Sequence, residues 1–200
     1  LGLIIQSLSI VQESGELDRE YLQSVEERAM GIILHMSQTI DDFKDYFKPD
    51  KEKVSFSVNG AVSKAVSFLE DSFRNRQINV KVVTGEDPVV NGYPNEYSQV
   101  LLNILLNARD AFAERKVDDA KVTIAIRSEN GMAVVTITDN AGGIPAEIMD
   151  KIFDPYFTTK GPDQGTGVGL FMSKGIIEKN MGGRLTVRNT GKGAEFRIEV

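Results

Sequence analysis

The chain has 200 residues, 41% of them hydrophobic and 26% charged, with a formal net charge of −6. That balance is ordinary for a globular protein and allows one domain with an accessory element, or two small domains. The absence of cysteine excludes disulfides and thiolate metal sites, and a single histidine leaves no ligand set for structural zinc. No long basic run suggests nucleic acid, no apolar run reaches membrane-spanning length, and no signal peptide is visible, so neither nucleic-acid nor membrane contact is expected.

Leu1, Ile4, Leu8 and Val11 recur at spacings of three and four, which predicts a helix with one apolar seam. Glu13-Ser14-Gly15-Glu16 interrupts it, and Asp18 is placed to cap a second helix. That helix carries Leu22, Val25, Ala29, Ile32, Met36, Thr39, Phe43 and Tyr46 on a bundle-type seam, widened by Ile33, Ile40 and Phe47 and ended by Pro49. At 1.5 Å per residue the second arm spans roughly 43 Å against about 20 Å for the first. The expectation is therefore a hairpin over residues 1–48 with one arm cut short, either because about fifteen residues precede Leu1 or because another chain supplies the contact. So wide an apolar stripe predicts a homodimeric four-helix bundle; the alternative is a hairpin folded back on the following domain. Residues 49–53 read as a charged linker.

Residues 54–200 predict a different architecture. Val54 to Val58 alternates as a short strand, and Asn59 is a candidate cap for a helix with Val62, Val66 and Leu69 inward. Ile78 to Val83 and Val89-Val90 read as strands, and a strong helix runs from about Glu96 to Arg115 after Gly92-Tyr93-Pro94-Asn95. Lys121 to Arg127 and Met132 to Thr138 form a hairpin across Glu129-Asn130-Gly131, because Asn-Gly is a strong two-residue turn signal. Ala146 to Phe153 is expected as a short helix, 154–166 as a mobile loop, and Gly167 to Asn180 as a further helix. Arg184 to Asn189 pairs with Ala194 to Val200 across Thr190-Gly191-Lys192-Gly193. Strands and helices mix without regular alternation, so the fold class is α+β: an α/β sandwich of mixed sheet with helices on one face.

Three stretches carry chemistry. Asn103 and Asn107 stand four apart on one face of an otherwise apolar helix, where an unpartnered amide costs roughly 1–3 kcal/mol. Either the pair bonds to backbone, or an amide oxygen serves as a neutral magnesium ligand beside substrate phosphates. Asp139-Asn140-Ala141-Gly142-Gly143-Ile144 ends the strand Ala133 to Thr138; its carboxylate can accept from an amino group and its glycines admit a flat ring or a phosphate. An ordinary strand-to-helix turn with a capping aspartate is the other reading. Gly165-Thr166-Gly167-Val168-Gly169-Leu170 opens a helix, where free N–H groups and the helix dipole favour phosphate, although alternating glycines alone also suit a linker. Lys160 is either a terminal-phosphate contact or a solvated surface lysine. Phe153 and Phe157 are expected to anchor loop ends, and the Gly182-Gly183 and Gly191/Gly193 pairs to serve turns.

Taken in order, these stretches resemble the boxes of sensor histidine kinases: Asn103 to Ala111 the N box, Asp139 to Gly143 the G1 box, Phe153 to Phe157 the F box and Gly165 to Leu170 the G2 box. Order and spacing agree across about residues 54–200, and the preceding hairpin resembles the dimerisation and histidine-phosphotransfer element. The resemblance implies the ATP-binding sandwich shared with gyrase, heat-shock chaperone and mismatch-repair ATPases. It implies that Asp139 binds the adenine amino group, that Asn107, together with Asn103 or without it, holds Mg²⁺, and that residues 157–169 form an ATP lid. The implied nucleotide contacts extend to Asp110, to Gly143 and Ile144, to Phe157, Thr158, Thr159 and Lys160, and to Gly165, Thr166, Gly167, Val168, Gly169 and Leu170. Asn107 and Lys160 are the implied catalytic residues.

The implied activity is transfer of the ATP γ-phosphoryl group to a histidine and onward to a response-regulator aspartate, in a cytoplasmic signalling protein fed by an upstream sensor domain, the whole protein being membrane-anchored or not. One departure stands out: the family's phosphoacceptor histidine lies on the first hairpin arm, which holds none here. His35, the sole histidine, sits beside the seam of the second arm and reads as a surface residue. The phosphoacceptor is therefore expected before Leu1, and the chain alone is expected to bind nucleotide without autophosphorylating. A gyrase-type ATP-hydrolysing switch and a non-catalytic nucleotide-binding dimeric scaffold are the competing readings.

Overall fold

The structure, a computed structural model, describes Met30, residues 52–160 and residues 166–200. The chain divides into two compact units, Leu1–Lys48 and Pro49–Val200. The hairpin and dimer expected from residues 1–48 lie outside the described residues, apart from Met30, which is helical and exposed. Everything below concerns the second unit.

Strand β1 (Val54–Ser57) pairs antiparallel with β3 (Val89–Gly92) in a two-stranded sheet. Helix α1 (Val58–Asn75) starts two residues earlier than Asn59 would allow as a cap. Ser57 is the cap instead, its Oγ accepting from the Gly60 N–H at 2.9 Å. The Asn59 side chain is drawn away to the Glu86 carbonyl, and Asp87 receives both the Ser57 hydroxyl and the Asn59 N–H, tying the loop before β3 to the start of the helix. Val58, Ala61, Val62, Ala65, Leu69 and Phe73 form the buried stripe of α1, with Val66 half-buried at its edge.

Helix α2 (Pro94–Arg115) begins with proline at its first position, where a missing N–H costs nothing. It buries Tyr97, Val100, Leu101, Leu102, Ile104, Leu105, Ala108 and Phe112 and ends at Lys116, whose left-handed backbone returns its N–H to the Phe112 carbonyl. A helix buried on so many sides is the spine of the layer, and any polar side chain on it needs a reason.

The main sheet has five strands in the order β2-β4-β5-β7-β6. Strand β2 (Asn79–Thr84) runs parallel to β4 (Lys121–Glu129); β4 with β5 (Met132–Asp139), β5 with β7 (Ala194–Glu199), and β7 with β6 (Arg184–Asn189) are antiparallel. Asn130 and Gly131 both take positive φ, 52° and 81°, as the tight β4–β5 turn requires. Register places Ile124 opposite Ile137, Ile137 opposite Phe196 and Leu185 opposite Ile198, so one face presents a continuous apolar surface to the helices. The opposite face is an ionic ladder: Arg197 bonds Glu129 and Glu199, and Arg127 pairs with Glu129. The hydrogen bond from Arg197 holds the Glu129 carboxyl below its ordinary range, and the charges of Arg127 and Arg197 reinforce it against desolvation.

Two helices differ from expectation. Helix α3 covers only Ala146–Met149; beyond it the chain tightens into i→i+3 turns, with Lys151 bonding Ile148 and Asp154 bonding Lys151. Helix α4 starts at Gly169, not Gly167, and runs to Gly175. It then widens into a single i→i+5 turn over Ile176–Asn180, where the Met181 N–H reaches the Ile176 carbonyl. Glycine at 175 lowers the cost of that change of pitch.

Candidate active site

A cavity of about 450 Å³ opens between α2, the turn after β5, the segment around Phe157–Lys160 and the start of α4, within the size range of small-molecule sites. Its floor is the polar face of α2. Asn103, Asn107, Asp110 and Glu114 all line it, because residues three and four apart share one side of a helix.

Asp139 stands at the end of β5, half-buried. Its Oδ1 accepts the Ala141 N–H at 2.9 Å and the Ala194 N–H at 3.2 Å. No hydrogen bond to Oδ2 is made among the described residues, which leaves one carboxylate oxygen with acceptor capacity beside the cavity. Gly193 permits this arrangement. A Cβ there would lie 2.0 Å from the Asp139 carbonyl oxygen and 2.5 Å from Oδ1, so the β6–β7 turn can close on Asp139 only without a side chain. Past Asp139, Asn189 grips the backbone of Ile144 from both sides, accepting its N–H and donating to its carbonyl at 2.7 Å each. Arg115 reaches from the end of α2 to the Ala141 carbonyl. Asn140 turns outward, bonding the Lys121 N–H and the Asp119 carbonyl, and pins the start of β4.

The opposite wall is charged. Arg109 donates through Nε and Nη2 to Asp110 Oδ1 at 2.9 and 2.7 Å and is braced on Ser72 of α1. Lys160 donates to Asp110 Oδ2 at 2.6 Å and to Asn107 Oδ1 at 3.4 Å. Burial raises the Asp110 pKa, but the hydrogen bonds from Lys160 and Arg109 and their charges outweigh it, so the carboxyl titrates below its ordinary value. An ammonium group seated between an amide oxygen and a carboxylate oxygen is a position suited to positive charge. Hard oxygen donors of this kind fit magnesium, so the residues present match the metal that the sequence led us to expect.

Asn103 does something else with its amide nitrogen, which donates to the Gly169 carbonyl at 3.3 Å and to Ser173 Oγ at 3.2 Å, binding α2 to the first turn of α4. Gly167 has φ +66° and lies against the turn at Tyr156. A Cβ would meet the Tyr156 carbonyl carbon at 2.3 Å, so the two ends of the 157–167 stretch touch backbone to backbone.

The cavity thus brings together Asn103, Asn107, Asp110, Asp139, Gly143, Ile144, Phe157, Thr158, Thr159, Lys160, Thr166, Gly167, Gly169 and Leu170. Gly165 lies outside the described residues. Val168 does not line the cavity; it is the residue before α4, and its carbonyl accepts the Met172 N–H. Sequence reading passed over Asn189, Arg115 and Arg109 and assigned Gly193 only to a turn. Only Arg109, inside the N-box stretch, carried a local signal; the others reach the site from 45 and 26 residues away in the chain.

A mixed sheet with helices on one face, a carboxylate at a strand end and a polar helix across from it define an ATP-binding sandwich domain. The chain belongs to the histidine kinase-, DNA gyrase B- and HSP90-like ATPase family, whose sequence pattern matches residues 92–200. Its relatives place it among the sensor histidine kinases, with their ATP-binding catalytic domain. It is 32% identical over 192 residues to the two-component sensor PprA of Pseudomonas aeruginosa, covering 92% of this chain and 20% of that protein. It is 30% identical over 166 residues to the sensor histidine kinase ZraS of Escherichia coli, covering 82% of this chain and 34% of the other. Among solved structures, the catalytic domain of the histidine kinase ThkA superposes with a TM-score of 0.66 at 31% identity, covering 74% of this chain and 95% of that one. The chain therefore spans about a third or less of the length of these two full-length relatives. Among the described residues, no helix is long and apolar enough to cross a membrane.

Proposed function

We propose that the chain is the catalytic part of a cytoplasmic, homodimeric sensor kinase that transfers the γ-phosphoryl group of ATP to a histidine, for relay to a response-regulator aspartate. One observation carries this reading: Asp139 and Asn107, on different elements, line the same cavity with Lys160 between the asparagine and a carboxylate. Asp139 takes the adenine amino group on its free oxygen. Asn107 offers its amide oxygen to Mg²⁺, which when bound neutralises phosphate charge. The N–H groups of Gly167, Gly169 and Leu170 and the Lys160 ammonium face the phosphates, and Gly143, Ile144, Phe157, Thr158, Thr159 and Thr166 complete the walls.

A neutral imidazole is already nucleophilic, so this domain needs only to hold the nucleotide in line with it. The phosphoacceptor we propose is a histidine other than His35. The histidine kinase ThkA has been solved with the response regulator TrrA, and a receiver domain of that type is the onward acceptor we propose here.

The test supplies the chain with a histidine-bearing hairpin and γ-labelled ATP. The expected product is phosphate on protein that is stable to alkali and lost in acid. Nucleotide binding without any such incorporation would leave a non-catalytic scaffold as the reading.

A further inference from the structure

The Asp110 carboxylate is divided between two uses. Oδ1 is fixed: two hydrogen bonds from Arg109 hold it, and Arg109 is itself braced on Ser72 of the neighbouring helix. Among the described residues Oδ2 is met only by Lys160, whose ammonium also contacts Asn107 Oδ1. Asn107 and Asp110 are three apart on α2, so the two oxygens project from the same face one turn apart. The backbone of Lys160 is held in place for this reach, its N–H bonding Thr158 Oγ1 at 3.1 Å. Both side chains of the Lys160–Asp110 pair remain 30% exposed and line the cavity, so the ion pair can be exchanged without opening the core.

We propose that Lys160 is a resident cation that fills the Asn107–Asp110 oxygen pair until a divalent metal takes its place, making Asp110 Oδ2 a second metal ligand beside Asn107. This rests on the assignment of Asn107 to the metal. An ammonium and a divalent ion cannot share one pair of oxygens at bonding distance, so the two compete. The exchange has a consequence for the phosphates: only once the metal holds Asp110 is the Lys160 charge free for them. Lysine is suited to this role because its charge sits at the end of a flexible stem, unlike a planar guanidinium fixed by several bonds.

The experiment titrates the chain with Mn²⁺ alone, without nucleotide, following free Mn²⁺ by electron paramagnetic resonance. Removing the competitor in Lys160→Met should tighten Mn²⁺ binding about fivefold, the equivalent of about 1 kcal/mol. Lys160→Arg, which keeps a cation, should bind Mn²⁺ no more tightly than wild type, and Asp110→Asn should bind at least tenfold more weakly than Lys160→Met. Mn²⁺ affinity in Lys160→Met equal to or below wild type would overturn the competition. Affinity in Asp110→Asn matching Lys160→Met would overturn Asp110 as a ligand. Thermal melts that match wild type confirm that each variant is folded. ADP titrated into Asp139→Asn separates the two levels: undiminished binding there removes the nucleotide assignment, whereas lost ADP binding with unchanged Mn²⁺ behaviour removes only the lysine exchange.

Discussion

Replacing Asp139 separates two jobs that its carboxylate performs. Oδ1 satisfies the N–H groups of Ala141 and Ala194, both residues buried at 2% and 3% exposure, and Oδ2 is free for a ligand. Asp139→Asn keeps an acceptor at the Oδ1 position but puts an amide N–H₂ where Oδ2 stood. Facing an adenine amino group, that is donor against donor. The loss is a charge-assisted hydrogen bond of about 1.5–3 kcal/mol, which weakens ADP binding by roughly 10- to 150-fold. Stability should stay within about 0.5–1 kcal/mol of wild type, because the two backbone N–H groups keep their partner. Asp139→Ala removes both functions. It should lose ADP affinity to the same degree and a further ~2 kcal/mol of folding stability, since two buried donors are then left unpaired. Calorimetric titration with ADP, together with urea unfolding of both variants, checks the pair. ADP affinity of Asp139→Asn within twofold of wild type would refute the assignment of the free oxygen to the base.

Three further perturbations follow from contacts around the same sheet. Gly193→Ala puts a methyl group 2.0 Å from the Asp139 carbonyl oxygen, so the β6–β7 turn must move; the expected cost is about 2–3 kcal/mol in urea unfolding, with ADP affinity falling too. Asn189→Ala removes both hydrogen bonds to Ile144 and should cost about 1 kcal/mol while loosening the cavity wall, visible as raised amide exchange at Ile144. Glu129 is held below its ordinary pKa by Arg197, so its contribution to stability is present above the unfolded carboxyl pKa of about 4.3 and is lost as pH falls through the lower folded value. Glu129→Gln should therefore lose stability near neutrality and converge on wild type in acid; parallel pH profiles of the urea midpoint would contradict the linkage.

The elements that were legible in the sequence are those whose signal is local. The β4–β5 hairpin declares itself by Asn130-Gly131, and α2 by a proline start and a dense apolar run. The boxes were legible because glycine and carboxylate spacing is itself the chemistry of a phosphate and base site. What escaped depends on partners distant in sequence. Nothing near Asn59 reveals that Glu86 draws its side chain away and leaves capping to Ser57. Nothing near Gly193 announces that Asp139, arriving from another strand, fills the space a side chain would need. The i→i+5 turn after Gly175 was likewise invisible, since the apolar pattern of a helix survives one extra residue per turn.

The two asparagines of α2 also bear on why such a site would transfer phosphate and not simply hydrolyse ATP. A gyrase-type hydrolase places a glutamate base where Asn103 stands. An amide cannot accept a proton from water at neutral pH, and the nitrogen of this one is already committed to the Gly169 carbonyl and Ser173. Of the carboxylates among the described residues that line the cavity, Asp110 is bound on both oxygens by Arg109 and Lys160, Asp139 anchors two backbone N–H groups at the far end of β5, and Glu114 stands seven residues beyond Asn107 on α2, roughly 10 Å along its axis. None of the three is placed to activate water beside Asn107. On this reading the pocket holds nucleotide and neutralises its charge while withholding a water-activating base at the Asn103 position, so the γ-phosphoryl group waits for a nucleophile brought from outside. Asn103→Glu tests the point directly: with a carboxylate restored, ATP turnover by the chain alone should rise at least tenfold over wild type, and unchanged turnover would show that the missing base is not what limits hydrolysis.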